Sequence, residues 1–143
     1  MQSVEWGKSF SLKNKEGLYT VLYFYPRDNT PGCTNEAKDF TKLLSRFEKL
    51  GARILGVSQD SLSSHEKFRE KHALKIELIS DPSGELCDKF GVLQMKQLYG
   101  KKFKGIVRST FLLDKNGKVL KEWTKVKVPG HAEEVLSFLK SLN

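Results

Sequence analysis

The chain reads as an α/β domain built on a central mixed β-sheet with helices on both faces, and three observations lead to that reading. Unbroken β-branched and aromatic runs (TVLYFY at 20–25, RILGVS at 53–58) alternate with stretches whose apolar residues recur every three or four positions. An Asn-Gly pair at 116–117 separates two later apolar runs, the strongest short hairpin signal. A length of 143 residues, 38% of them hydrophobic, suits one compact core.

The run at 20–25 has no polar alternation, so it is expected to be a central strand, buried on both faces. From Cys33 onward, Ala37, Phe40, Leu44 and Phe47 mark an amphipathic helix, and Gly51 after Leu50 supplies its C-terminal cap. A second buried strand follows at 53–58. Next come a polar helix at 63–71, whose His65 and His72 are expected to face solvent, and a strand at 76–79. Asp81-Pro82-Ser83-Gly84 reads as a turn into a short helix that runs through Phe90 and stops at Gly91. The lysine-rich stretch KQLYGKKFK at 96–104 is expected to be a solvated loop. Strands at 109–113 and 118–124 flank the Asn-Gly turn and add an antiparallel edge. A closing helix begins near His131, with Val135, Leu139 and Leu142 along one side. With no repeat, low-complexity tract or linker, residues 1–143 are expected to form a single domain.

Lys and Arg number 25 against 17 Asp and Glu, a net charge of +8, which permits a basic surface without identifying a partner. No window approaches the ~18 consecutive apolar residues of a membrane span, and the first ten residues lack the apolar run of a secretory signal. A cytoplasmic protein without membrane association is expected. Cys33 and Cys87 are too few for a disulfide framework. With three scattered histidines they form no zinc spacing either, so no metal and no cofactor is expected and redox chemistry is the use left for these thiols.

One thiol stands out. The segment 26–33 (PRDNTPGC) lies at the carboxyl end of the first strand, where α/β folds place their ligands. Thr30 suits the N-cap and Pro31 the first helical position, which puts Cys33 in the first turn. Unpaired backbone N–H groups and the positive end of the helix dipole favour thiolate over thiol there. The alternative is an inert, buried Cys33, but a carefully capped helix start is an expensive place for one. Dithiol chemistry of the Cys-x-x-Cys kind is excluded, because positions 30–36 hold one cysteine.

Pro26-x-x-x-Thr30-x-x-Cys33, within YFYPRDNTPGCTNEAKDF, resembles the peroxide-reducing site of peroxiredoxins. Together with Arg108-Ser109-Thr110-Phe111-Leu112 and the closing VKVPGHAEEVL, it is similar to the bacterioferritin comigratory protein, or Q-type, branch. The resemblance covers essentially the whole chain and implies a thioredoxin-like fold. It also implies reduction of hydrogen peroxide and organic hydroperoxides by Cys33 through a sulfenic acid. Thr30 would hold the peroxide, Pro26 would shield the thiolate, and Arg108 would hold both thiolate and peroxide. The implied electron donor is thioredoxin, glutaredoxin or a small thiol, and the implied state is a monomer.

The sequence departs from that branch in its second cysteine. The fifth position after Cys33, where many members carry a resolving cysteine, is Lys38, and the following polar helix has none. Cys87, in ELCDKF, is read as a partly buried small residue, which favours one-cysteine turnover. Resolution by Cys87 is the alternative. Two further alternatives stay open on the residues alone: a thioredoxin-like thiol oxidoreductase that is not a peroxidase, and a basic adaptor for nucleic acid using the lysines and aromatics at 96–104. The solvated-loop reading of that segment is preferred, and no nucleic-acid partner is expected.

Overall fold

The computed structural model describes residues 3–5 and 18–142. In chain order the elements are β1 (Ser3–Glu5), β2 (Tyr19–Phe24), α1 (Pro31–Lys49), β3 (Ala52–Ser58), α2 (Leu62–His72), β4 (Glu77–Ser80), α3 (Glu85–Lys89), β5 (Leu93–Leu98), β6 (Lys101–Ile106), β7 (Ser109–Leu113), β8 (Val119–Trp123) and α4 (His131–Ser141). The main sheet runs β1-β4-β3-β2-β7-β8, while β5 and β6 form a separate two-stranded ribbon. β2 pairs in parallel with β3 and antiparallel with β7, so the sheet is mixed and β2 lies inside it.

Alternation along β2 divides the core in two. Val21, Tyr23 and Tyr25 face α1 and α4, packing with Phe40, Phe47, Val135 and Leu139, and Phe68 of α2 joins this side. Leu22 and Phe24 face the other way, onto Leu86 and Cys87 of α3, Val92, Ile106 and Phe111. Burial on both faces explains the unbroken apolar run of β2. Rings tie each layer together: Tyr23 stacks on Phe40 with centroids 4.7 Å apart, and Phe24 meets Phe111 edge-on at 5.7 Å.

Four expectations need correction. β1 was not expected; a three-residue strand shows no period, and its backbone pairing with β4 makes it. Residues 96–104 lie in an antiparallel hairpin instead of a loop, in register from Leu93↔Ile106 to Leu98↔Lys101. Tyr99 and Gly100 turn it with φ of 52° and 77°, the left-handed pair that primed hairpin turns require. Most of its side chains are exposed, so no buried face left an alternating pattern to read. Leu142 lies beyond α4 and is 40% exposed; Ala132 and Leu136 accompany Val135 and Leu139 on the buried side. His65 is buried on α2, not solvent-facing. Among the described residues, no helix is long and apolar enough to cross a membrane.

Gly56 sits opposite Tyr23 in the parallel register, and its missing side chain makes room for the phenol. A Cβ there would lie 2.8 Å from Tyr23 Cζ and Oη and 3.0 Å from Leu78 Cδ2. Phe40 stacks on the ring and Tyr25 lies against it with centroids 5.6 Å apart, so its retreat is resisted. Gly56→Ala should therefore cost about 1–3 kcal/mol in urea-unfolding stability. Tyr23→Phe in the same chain should restore part of it, because one of the clashing atoms is the hydroxyl.

Candidate active site

β2 delivers the chain to a five-residue loop, 26–30, that enters α1. Asn29 turns it at φ 61°, and Thr30 takes the extended N-cap conformation ahead of Pro31. The first helical bond runs from Thr34 N–H to the Thr30 carbonyl at 2.8 Å. The N-cap expectation holds for the backbone but not for the side chain. The Thr30 hydroxyl donates to the Arg27 carbonyl (2.9 Å), closing the loop on itself, and makes no capping bond. Its oxygen lone pairs and the first-turn N–H groups of α1 are thus left without each other as partners.

Cys33 lies in that first turn and is 1% exposed. Arg108, in the short link between β6 and β7, points one guanidinium nitrogen at it, with Nη2 3.3 Å from Sγ. The pairing of β7 with β2 brings residues 75 positions apart in sequence to the same end of the sheet. The backbone of Arg108 is pinned from outside by Val126 N–H, which donates to its carbonyl at 3.0 Å. Gly32 completes the fit: a Cβ there would stand 3.2 Å from Nη2.

The second guanidinium arm finds a residue that sequence reasoning missed. Arg108 Nη1 donates to Glu36 Oε1 at 2.6 Å, and Glu36 is 1% exposed. One signal was available, since Glu36 falls on the apolar stripe with Cys33, Ala37 and Phe40, where a carboxylate is out of place. Burial pushes its carboxyl up to about 7, against the pull of Arg108, and its Oε2 has no hydrogen-bond partner. Tyr23 Oη, on the same side of the sheet, is likewise buried without a partner. Burial first, then the negative charges of Glu36 and Cys33, hold its proton far more tightly than usual. Burial pulls the Arg108 guanidinium down, but Glu36 and the Cys33 sulfur outweigh it and raise it further.

A second polar cluster braces the loop. Asp28, 8% exposed, takes hydrogen bonds from Tyr25 Oη (2.6 Å), Ser64 Oγ (2.8 Å) and His65 Nδ1 (2.7 Å). Its own N–H donates to Asp60 Oδ2 (2.8 Å), which also accepts from Ser58 Oγ (2.6 Å). Ligand atoms of Asp28, Asp60 and His65 all lie within 4.8 Å of one another, as a small cation would need. The donors already present account for the cluster without an ion. A cleft of about 340 Å³ lined by Asp28, Ser64, Phe68 and Lys71 flanks the loop on the α2 side. His72 is half-buried and bonds Asn29 Oδ1 through Nε2 at 2.9 Å.

The remaining sequence-marked residues are placed as follows. Pro26 is exposed at the start of the loop. Cys87 is fully buried, more than expected, in the opposite core layer from Cys33. Its N–H donates to Asp81 Oδ2 at 2.8 Å, and burial, then Asp81, raise its thiol far above the ordinary range. Both cysteines are free.

A thioredoxin-like sheet that carries a buried, arginine-faced thiol at the end of its central strand defines a class of thiol-redox proteins. The AhpC/TSA family profile matches residues 2–122. The chain is 49% identical over 139 residues to the Bcp peroxiredoxin of Xanthomonas campestris (97% of this chain, 87% of that one), and 48% identical over 137 residues to that of Bacillus subtilis (96% and 87%). A solved structure of the Xanthomonas campestris bacterioferritin comigratory protein superposes with a TM-score of 0.84 at 51% identity, over 88% of this chain and 80% of that one. The chain belongs to the AhpC/TSA family, in the bacterioferritin comigratory protein branch of the peroxiredoxins, and is a thiol-dependent peroxidase.

Two outcomes follow from the geometry. Gly32→Ala should push Arg108 a few tenths of an ångström off Sγ while favouring the helix. Peroxide-driven oxidation and alkylation of the thiol should both slow, with thermal stability unchanged or raised. The Glu36 carboxyl titrates near 7 when folded and near 4.5 when unfolded, so the folded state keeps its proton longer as pH rises. Its contribution to stability falls between pH 4.5 and 7 and is flat outside that window. Glu36→Gln should remove that slope, worth roughly 3 kcal/mol at most, in urea midpoints measured at pH 5, 6 and 8.

Proposed function

We propose that Cys33 is the cysteine that reduces peroxide and that it turns over without a resolving partner in the chain. The observation that carries this reading is Arg108 Nη2 at 3.3 Å from the Cys33 sulfur, in the space Gly32 leaves open. A permanent cation at that distance can pair with a sulfur that carries negative charge, and a thiolate is the attacking species. Its sulfur displaces one peroxide oxygen. The S–O bond forms as the O–O bond breaks, sulfur loses two electrons, and the departing hydroxide or alkoxide takes up a proton to leave as water or alcohol. Thr30 Oγ1, with the N–H groups of Gly32 and Cys33, would hold the oxygens as charge moves between them. Pro26 would limit access of water to the thiolate from the exposed side.

An external thiol then condenses with the sulfenic acid, releasing water, and a second thiol exchanges out the mixed disulfide. Three observations support one-cysteine turnover. Cys87 lies across the sheet from Cys33, its proton is held too tightly for it to attack as thiolate, and neither position 38 nor α2 offers a cysteine. Hydrogen peroxide and organic hydroperoxides are the proposed substrates. The alkyl peroxide reduction described for the Xanthomonas campestris protein favours the latter. Thioredoxin, glutaredoxin or a small thiol is the proposed donor, to a cytoplasmic, monomeric antioxidant enzyme.

Cys33→Ser should abolish peroxide consumption with dithiothreitol as donor while leaving the circular dichroism spectrum intact. Cys87→Ser should keep most of the activity. After one equivalent of peroxide, the intact mass of the wild type should rise by one oxygen. Loss of two hydrogens, with a Cys33–Cys87 peptide on mapping, would make this a two-cysteine enzyme and overturn the proposed cycle.

A further inference from the structure

Helix α2 carries no cysteine, yet it supplies three side chains to the loop ahead of Cys33: Ser64 and His65 to Asp28, and His72 to Asn29. His65 is the buried centre of that contact, with no accessible surface. Its Nδ1 faces Asp28 Oδ2 at 2.7 Å and its Nε2 faces the Ile79 carbonyl at 3.0 Å. A neutral imidazole has one N–H. Here an acceptor stands opposite each ring nitrogen. The Nδ1 contact ties the loop to α2, and the Nε2 contact only seats the ring against β4.

Resting on the peroxide-reducing reading of Cys33, we propose that His65 is a positioning residue for that reaction. Through Asp28 it holds the 26–30 loop at the height where the Thr30 hydroxyl meets the peroxide. The linkage is short and covalent beyond Asp28. The neighbouring Arg27 carbonyl accepts the Thr30 hydroxyl proton at 2.9 Å, so a shift of Asp28 moves both the Thr30 side chain and the entry of α1. The thiolate has separate support. Arg108 reaches Cys33 from the link ahead of β7 and is held by Glu36 on α1, while the hydrogen bonds of Asp28 go to Tyr25, Asp60, Ser64 and His65. Loosening His65 should therefore spoil the fit to peroxide and leave the general reactivity of the thiol alone.

Two amide substitutions divide the histidine's bonds between them. In His65→Asn the side-chain nitrogen falls where Nδ1 was, which keeps the donor to Asp28 and gives up Ile79. In His65→Gln it falls where Nε2 was, which keeps Ile79 and gives up Asp28. Second-order rate constants are to be measured by stopped flow for hydrogen peroxide and tert-butyl hydroperoxide, and in parallel for iodoacetamide. His65→Gln should lose roughly tenfold or more in both peroxide rates with alkylation unchanged, and His65→Asn should stay near wild type in all three. Ser64→Ala removes one outer donor from the same Asp28 oxygen and perturbs the core less. It should show a smaller loss confined to the peroxides, which keeps the test intact where His65→Gln fails to fold. Equal behaviour of the Asn and Gln variants, or a parallel fall in alkylation, overturns the positioning role. A wild type that alkylates but consumes no peroxide overturns the reading of Cys33 and this inference with it.

Discussion

The contact between the Arg108 guanidinium and the Cys33 sulfur organises everything around it. A charge brought into a nearly closed site must be balanced and hydrogen-bonded, or it costs more than it returns. One arm of Arg108 therefore meets the thiol, the other meets Glu36 one helical turn further on, and the backbone is tied to Val126. Gly32 is small because the guanidinium passes over it. β7 sits beside β2 in the sheet, which brings the arginine to the end of the strand that delivers the cysteine. The planar fork of arginine meets two partners at once, which the single ammonium of a lysine would not do in the same geometry.

That arrangement is not built for greatest stability. Glu36 keeps one oxygen without a partner, Tyr23 buries a hydroxyl with none, and both lie in the core layer that holds Cys33. Each is a group that an apolar side chain of similar size would replace at little cost or some gain. Their concentration on the thiol side of the sheet, with a well-packed apolar layer on the other, fits a site whose polarity is kept for chemistry. The loop side is the reverse: the Asp28 cluster is closely satisfied, with donors from Tyr25 just past β2, from α2 and from the end of β3 converging on one turn. Charge near sulfur and rigidity in the loop are thus provided by different elements.

The sheet also separates the two cysteines. Cys33 packs with the α1 and α4 layer and Cys87 with the α3 layer, so a bond between them would have to form across β2 and its neighbours. Asp81 accepts hydrogen bonds from the N–H groups of Leu86 and Cys87 at the start of α3, and it adds to the burial that keeps the Cys87 thiol protonated. This separation is what supports the one-cysteine cycle proposed above, in which the reducing thiols arrive from outside.

Much of this was written in short-range pattern. The unbroken run of β2, the periodic face of α1, the Asn-Gly hairpin between β7 and β8, and the placing of Cys33 in the first turn of α1 each follow from neighbours within a few residues, where propensity and period act. The motif around Cys33 and Arg108 carried the resemblance to the family. Tertiary structure decided what depends on distant partners. β1 exists because β4 offers it an edge, and the ribbon of β5 and β6 is held by backbone bonds that leave no apolar alternation. The Thr30 hydroxyl turned back to Arg27 instead of capping, since the loop closes more tightly than its composition implied. Glu36 was overlooked and His65 misread for the same physical reason. A polar residue on a helix is read as solvated unless something far away supplies its counter-charge, and Arg108 and Asp28 come from 72 and 37 positions off, through the folding of the sheet.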